Sequence, residues 1–180
     1  MFIPFLTPAC LHSRGTRPRV FALLIGINKY KDKLIQDLNG AIADCEDIKR
    51  FLENRVNARI TSLYDEVATR ENILNAITAL AFDSSIKKDD PILIYYAGHG
   101  AAVSTPSSWN LPHTSKIQMI LPHDFIVHPT PTPESREGQG IFDRSLSDLL
   151  SVLSDHKGDN IVSAFRSDPS RLIEPLSLLL

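Results

Sequence analysis

Apolar residues fall into short unbroken runs separated by stretches where they recur every three or four positions, and this alternation sets an order of strands and helices. Val20 to Ile27 is almost continuously apolar and closes on Gly26-Ile27-Asn28, the pattern of a strand covered on both faces. Asn28 to Asp37 is polar and lysine-bearing and reads as the loop at that strand's carboxyl end. From Leu38 to Asn54, the residues Leu38, Ala41, Ile42, Cys45, Ile48 and Leu52 recur at helical spacing and make one packing face. Cys45 lies in that stripe, which marks it as core filler; Asp44 is turned to the stripe's edge, toward the sheet's carboxyl end or toward water.

Ala58 to Tyr64 is a short strand, after which Thr69 offers a cap oxygen and Glu71 a favourable first-turn charge to a helix packed through Ile73, Ile77, Leu80 and Ala81. Lys87 to Asp90 is the turn into Pro91-Ile-Leu-Ile-Tyr-Tyr-Ala-Gly-His-Gly100, the stretch around which the chain is organised. Its apolar run reads as a central parallel strand that stops at Gly98-His99-Gly100. Glycines on both sides let the backbone turn and leave its N–H groups open to a ligand, and His99 has no helix or sheet partner to commit it. The carboxyl end of a strand is where open α/β sheets place their chemistry, so His99 is the first candidate; a solvated loop histidine is the alternative.

Residues 101 to 140 hold most of the prolines and the single Trp109, with Ile117 to Leu121 as a strand and Pro129 to Gly140 as a polar loop. Asp143 is placed to cap a helix with Leu146, Leu149, Leu150 and Leu153 on one face, and Gly158 to end it. Asn160 to Phe165 begins as a strand that Arg166-Ser167-Asp168-Pro169 breaks. Alternating strands and helices argue for an α/β fold with a parallel or mostly parallel sheet flanked by helices.

The 180 residues suit one domain with a real core. A formal net charge of −2 with no basic stripe excludes nucleic acid and membrane surfaces as expected partners. No run is long enough to span a bilayer, and Met1 to Cys10, broken by Pro4 and Pro8, lacks the basic start of a signal peptide. With only Cys10 and Cys45 there is no disulfide framework, and a reducing, cytoplasmic setting is expected. Gly98-His99-Gly100 lacks a third glycine and a following helix, which argues against a phosphate-cradling nucleotide site.

Phe21-Ala22-Leu23-Leu24-Ile25-Gly26-Ile27-Asn28, Leu38-Asn39-Gly40-Ala41 with Asp44, Ile94-Tyr95-Tyr96-Ala97-Gly98-His99-Gly100 and Leu121-Pro122-His123-Asp124-Phe125 together resemble the p20-type portion of caspase-like and metacaspase cysteine peptidases, family C14. The resemblance extends from about residue 19 to Ile161, and the Tyr-Tyr-Ala-Gly-His-Gly block is its specific part. It implies a caspase-like three-layer sandwich and a cysteine-type endopeptidase linked to apoptosis-related proteolysis. His99 would serve as general base and then protonate the leaving amine; the Gly100 N–H would be half of an oxyanion hole. Asp44 would be an acid of the S1 pocket and favour a basic P1 side chain, although a cysteine often stands in those relatives where Ala41 stands here.

The departure is at the carboxyl end. In the family the strand near Asn160 runs into an Asp-x-Cys-His-Ser-Gly or Gln-Ala-Cys type motif whose cysteine is the nucleophile, and counted without gaps that cysteine is expected near Asp168 here. No cysteine follows Cys45, and Ser163 and Ser167 carry hydroxyls without the thiolate chemistry. The expectation is a chain that keeps the histidine and lacks the nucleophile, inactive or a truncated product, with an incomplete sheet: a leader over 1–18, the caspase-like domain over 19–165 and a divergent tail over 166–180 with leucines that promote association. The alternative is a non-catalytic module that binds a peptide or an intact caspase-like partner. No cofactor is expected; the resemblance alone raises calcium, for which Asp124 and Asp143 are the nearest acids and read as turn or cap residues.

Overall fold

A computed structural model describes residues 19–104, 116–127 and 139–167. Its main sheet has the order β2-β1-β3-β7, built from β1 (Arg19–Gly26), β2 (Asn57–Tyr64), β3 (Ile92–Gly98) and β7 (Ile161–Ser167), and every pairing in it is parallel. The central strands are the continuous apolar runs, as full burial requires: Leu23, Leu24 and Ile25 of β1 are each at most 1% exposed. Burying such side chains contributes about 1.5 to 3 kcal/mol apiece before the entropy of ordering them is subtracted.

The side-chain alternation of β1 and β3 divides the core in two. Ala22, Leu24, Leu93, Tyr95 and Ala97 face α1 (Ala41–Arg55), whereas Phe21, Leu23, Ile25, Ile92, Ile94 and Tyr96 face α2 (Arg70–Phe82) and α3 (Asp143–Lys157). Three layers result, one helix on one face and two on the other. Gly26 lets α1 come close, since a Cβ there would meet the Cys45 Sγ at 3.0 Å and the Ala41 carbonyl oxygen at 3.2 Å. Cys45 is fully buried in this contact, and burial, helped by Asp44 and Glu46, pushes its thiol up to about 12. It is core.

Each helix start is fixed by a side chain, though not always a neighbouring one. Gly40 at the α1 N-cap has no oxygen to offer, so Asn28 reaches across and its Oδ1 accepts from the Ala41 N–H at 2.9 Å. Leu38 therefore stays outside the helix, its own N–H donating to the Asn28 carbonyl at 2.7 Å. Thr69 Oγ1 accepts from the Asn72 N–H at 3.2 Å, and Asp124 Oδ1 accepts from the Arg70 N–H at 2.8 Å, so α2 carries two caps. Asp143 is the first residue of α3, not its cap: Phe142 holds that place and the Asp143 carboxylate accepts from the Arg144 N–H at 2.7 Å. The helix ends on Gly158 at φ 84°, where only glycine is unstrained.

Two features depart from the sequence pattern. A second, antiparallel sheet joins β5 (Lys116–Ile120), the strand read at Ile117 to Leu121, to β4 (Gly100–Ser104) and β6 (Ile141–Phe142), which have no signature in the pattern. In addition, β7 continues through Arg166 and Ser167, pairing them with Ala97 and Gly98, so these residues extend the strand instead of breaking it. The leader over 1–18 with Cys10, the segments 105–115 and 128–138 with Trp109, and residues 168–180 lie outside the described residues.

Candidate active site

The carboxyl ends of the four parallel strands lie level with one another, Gly26 beside Tyr64 and Ala97, and Gly98 beside Ser167. His99 sits on this rim in the single-residue step between β3 and β4, and it is 4% exposed. Far from being uncommitted, it has every backbone polar group engaged. Its N–H donates to the Tyr30 hydroxyl at 2.7 Å; its carbonyl accepts from the Leu121 N–H at 3.0 Å and from the Tyr96 hydroxyl at 2.7 Å.

The flanking glycines act differently from the expectation of a left-handed turn. Among the described glycines only Gly158 has positive φ, so neither Gly98 nor Gly100 is there for that reason. What Gly98 supplies is empty space: a Cβ would lie 2.5 Å from the Tyr96 hydroxyl and 3.0 Å from that of Tyr30. The two phenols that hold the His99 backbone occupy that space. Burial pushes Tyr30 up to about 12, against the lowering effect of its His99 bond, and burial also raises Tyr96 well above the usual phenol range. Both phenols therefore stay protonated at neutral pH.

The ring itself is oriented by the loop after β1. His99 Nε2 lies 2.7 Å from the Gln36 carbonyl oxygen, and the Tyr30 ring sits 5.2 Å away, tilted by 45°. A carbonyl only accepts, so Nε2 carries the hydrogen and, in the neutral ring, Nδ1 holds the free lone pair. That loop is in turn stitched to its neighbours. Asp65, at φ 43°, accepts from the N–H groups of Asn28 and Lys29 at 2.8 and 2.9 Å; Asp32 accepts from Leu34 and from Val127 at 2.9 and 2.7 Å. His123 closes the set, its Nδ1 donating to the Lys29 carbonyl at 2.7 Å while its own carbonyl accepts from the Lys31 N–H at 2.9 Å.

Gly100 opens β4. Its pairing with Ile120 is flanked by the bond from Leu121 N–H to the His99 carbonyl, which makes Gly100–Ile120 the non-hydrogen-bonded kind of antiparallel pair. The Gly100 N–H therefore points away from β5, off the side of β4 that no described strand covers. Asp44, in the first turn of α1, reaches the same rim: Arg166, level with Ala97 in the sheet, places its NH1 2.9 Å from the Asp44 carboxylate.

The remaining candidates do not join this group. Ser163 pairs with Ile94, five positions before His99, on the order of 15 Å back along the strand. Ser167 is level with Gly98, its side chain lying outside the described residues, as does all of Asp168, near which the motif's cysteine is expected. Asp124 and Asp143 are spent on the N-termini of α2 and α3. Among the described residues no three metal-ligating side chains gather. Sequence reading passed over Gln36, Tyr30 and the hydroxyl of Tyr96. The first acts through its carbonyl, which every residue type has, and the second stands in a run of lysines and asparagine that looks solvent-facing.

A family model for the caspase domain, peptidase family C14, matches residues 19–136. No curated protein matches the chain. Among solved structures it is similar to protein GSU0716 from Geobacter sulfurreducens, with a TM-score of 0.61 and 24% identity over 84% of this chain. The match takes in 50% of that protein, so the chain spans about half its length, and the likeness is one of fold.

Proposed function

The chain belongs to the caspase-domain family, and from that premise we propose that it is a peptidase-type domain that keeps the cleft and the base of a cysteine endopeptidase while lacking its nucleophile. In an intact reaction of this kind a thiolate attacks the scissile carbonyl. The imidazole takes the thiol proton and returns it to the leaving amine, and an N–H donor holds the developing oxyanion. In this chain His99 Nδ1 would take the first role and the Gly100 N–H the second, with Asp44 meeting a basic P1 side chain. The observation that best supports the reading is the 2.7 Å contact from Nε2 to the Gln36 carbonyl, because it leaves the other nitrogen as the proton acceptor.

The thiolate is what is missing. No cysteine follows Cys45, and Cys45 is packed on the α1 face with its proton held to about 12, so it serves neither as acid nor as nucleophile at neutral pH. Chains of this sequence are therefore silent, and their setting is the cytoplasm, as two cysteines without a disulfide framework suit. Among the described residues no helix is long and apolar enough to cross a membrane. Incubating the purified chain with Arg- and Lys-ended peptide reporters, beside His99→Ala, tests this: both should give the same background, and turnover that disappears in His99→Ala contradicts it.

A second reading is favoured by the direction of the Gly100 N–H off the side of β4 that no described strand covers, which suits an extended peptide laid along that edge. The domain would then act as a module holding a peptide or an intact caspase-like partner. A pull-down with a caspase-like chain that recovers nothing beyond a His99→Ala, Asp44→Asn control counts against it.

A further inference from the structure

The one acid assigned above to substrate recognition already has a cation on it. Arg166 projects from the α1 side of β7 and donates from NH1 to the Asp44 carboxylate at 2.9 Å. The Arg166 side chain is 72% exposed and that of Asp44 32%, so the pair lies at the mouth of the rim and not within the core. Tyr95 is the third member: it shares the α1 face with Ala97 on β3, is half-buried, and stands opposite Ala164 two residues before Arg166. Its phenol is raised by burial and then by the charges of Asp44 and Cys45, and lowered by Arg166. A carboxylate flanked by an aromatic ring is what a guanidinium or ammonium ligand needs: one charge-assisted bond and one apolar wall for its stem.

We propose that Arg166 is an internal occupant of the Asp44 site, so that the chain's own guanidinium sits where the basic side chain of a bound peptide would go. The pair carries no net charge, and long-range attraction for a cationic ligand is correspondingly reduced. Because the pair is solvent-exposed, its hold is weak and competition from outside can displace it. The proposal rests on the reading of Asp44 as the acid that meets a basic side chain.

The experiment separates the two ideas. Nα-acetyl-arginine amide is titrated into the full chain, with Nα-acetyl-glycine amide as the uncharged control, and binding is read from backbone amide shifts. Arg166→Ala should bind the arginine probe about three- to fivefold tighter than the parent chain, the range set by the worth of an exposed ion pair. Arg166→Lys, which keeps a cation, should stay near the parent value. Asp44→Asn should remove most binding in the Arg166→Ala background. If Arg166→Ala binds no tighter while Asp44→Asn still weakens the parent chain, internal occupancy is wrong and the Asp44 assignment stands. If Asp44→Asn changes nothing in either background, the assignment fails and the proposal with it. Both side chains are surface groups whose thermal melts should match the parent, so loss of fold does not mimic either result.

Discussion

The two walls of the rim are built to different standards. On the β3 side, His99 is 4% exposed, its N–H, carbonyl and Nε2 are all bonded, and the residues that bond it are themselves buried phenols and a stitched loop. On the β7 side, Arg166 is 72% exposed and held by one ion pair, while Val162 and Phe165 on the same strand leave 59% and 39% of their surface uncovered. The difference teaches that His99 is part of the core, whereas β7 is an edge of the sheet among the described residues. A histidine so embedded is kept in place by packing whether or not it performs chemistry.

Substitutions that strike the β3 wall should therefore cost far more than those on the β7 wall. Gly98→Ala puts a methyl into the space filled by the Tyr96 and Tyr30 hydroxyls and should destabilise the chain by about 3 kcal/mol in urea unfolding, the upper range for overpacking. Tyr30→Phe leaves the buried His99 N–H without an acceptor and should cost about 1.5 kcal/mol, with faster hydrogen exchange at that amide. A loss below about 0.3 kcal/mol would mean the phenol merely fills space. Arg166→Ala, by contrast, should shift stability by less than about 1 kcal/mol.

Alkaline titration sharpens the same contrast. Tyr30 and Cys45 rise from ordinary values of 10.0 and 9.0 to about 12 each, so the folded chain holds these protons more tightly than the unfolded one. Their contribution is complete below the unfolded values and fades as pH climbs through the interval up to about 12. In a Cys10→Ala background, Cys45 should consequently resist a thiol-specific disulfide reagent at pH 8 until denaturant is added. Prompt labelling of the folded chain would place Cys45 outside the core.

Much of this was legible in the residues. Apolar runs located the four parallel strands, helical spacing located the three helices, and the step from Ala97 to Gly100 located the rim, because burial and strand ends leave signatures in residue type. Other parts have no such signature. The short strands β4 and β6 owe their existence to partners distant in sequence. Asn28 capping a helix thirteen residues away, Asp65 gathering two amides and the Gln36 carbonyl orienting an imidazole depend on where loops meet in space. Gly98 was visible as important for the wrong reason: its neighbours' hydroxyls, not its backbone angles, exclude a side chain.

The central claim is that the imidazole is held by its Nε2–H on the Gln36 carbonyl, which leaves Nδ1 as the acceptor nitrogen of the neutral ring. Long-range proton–nitrogen couplings of the neutral His99 ring read the tautomer directly. The hydrogen is expected on Nε2 in the parent chain, as the bond to the Gln36 carbonyl requires. A neutral ring protonated on Nδ1 would break the bond to Gln36 and remove the lone pair from Nδ1, contradicting the account.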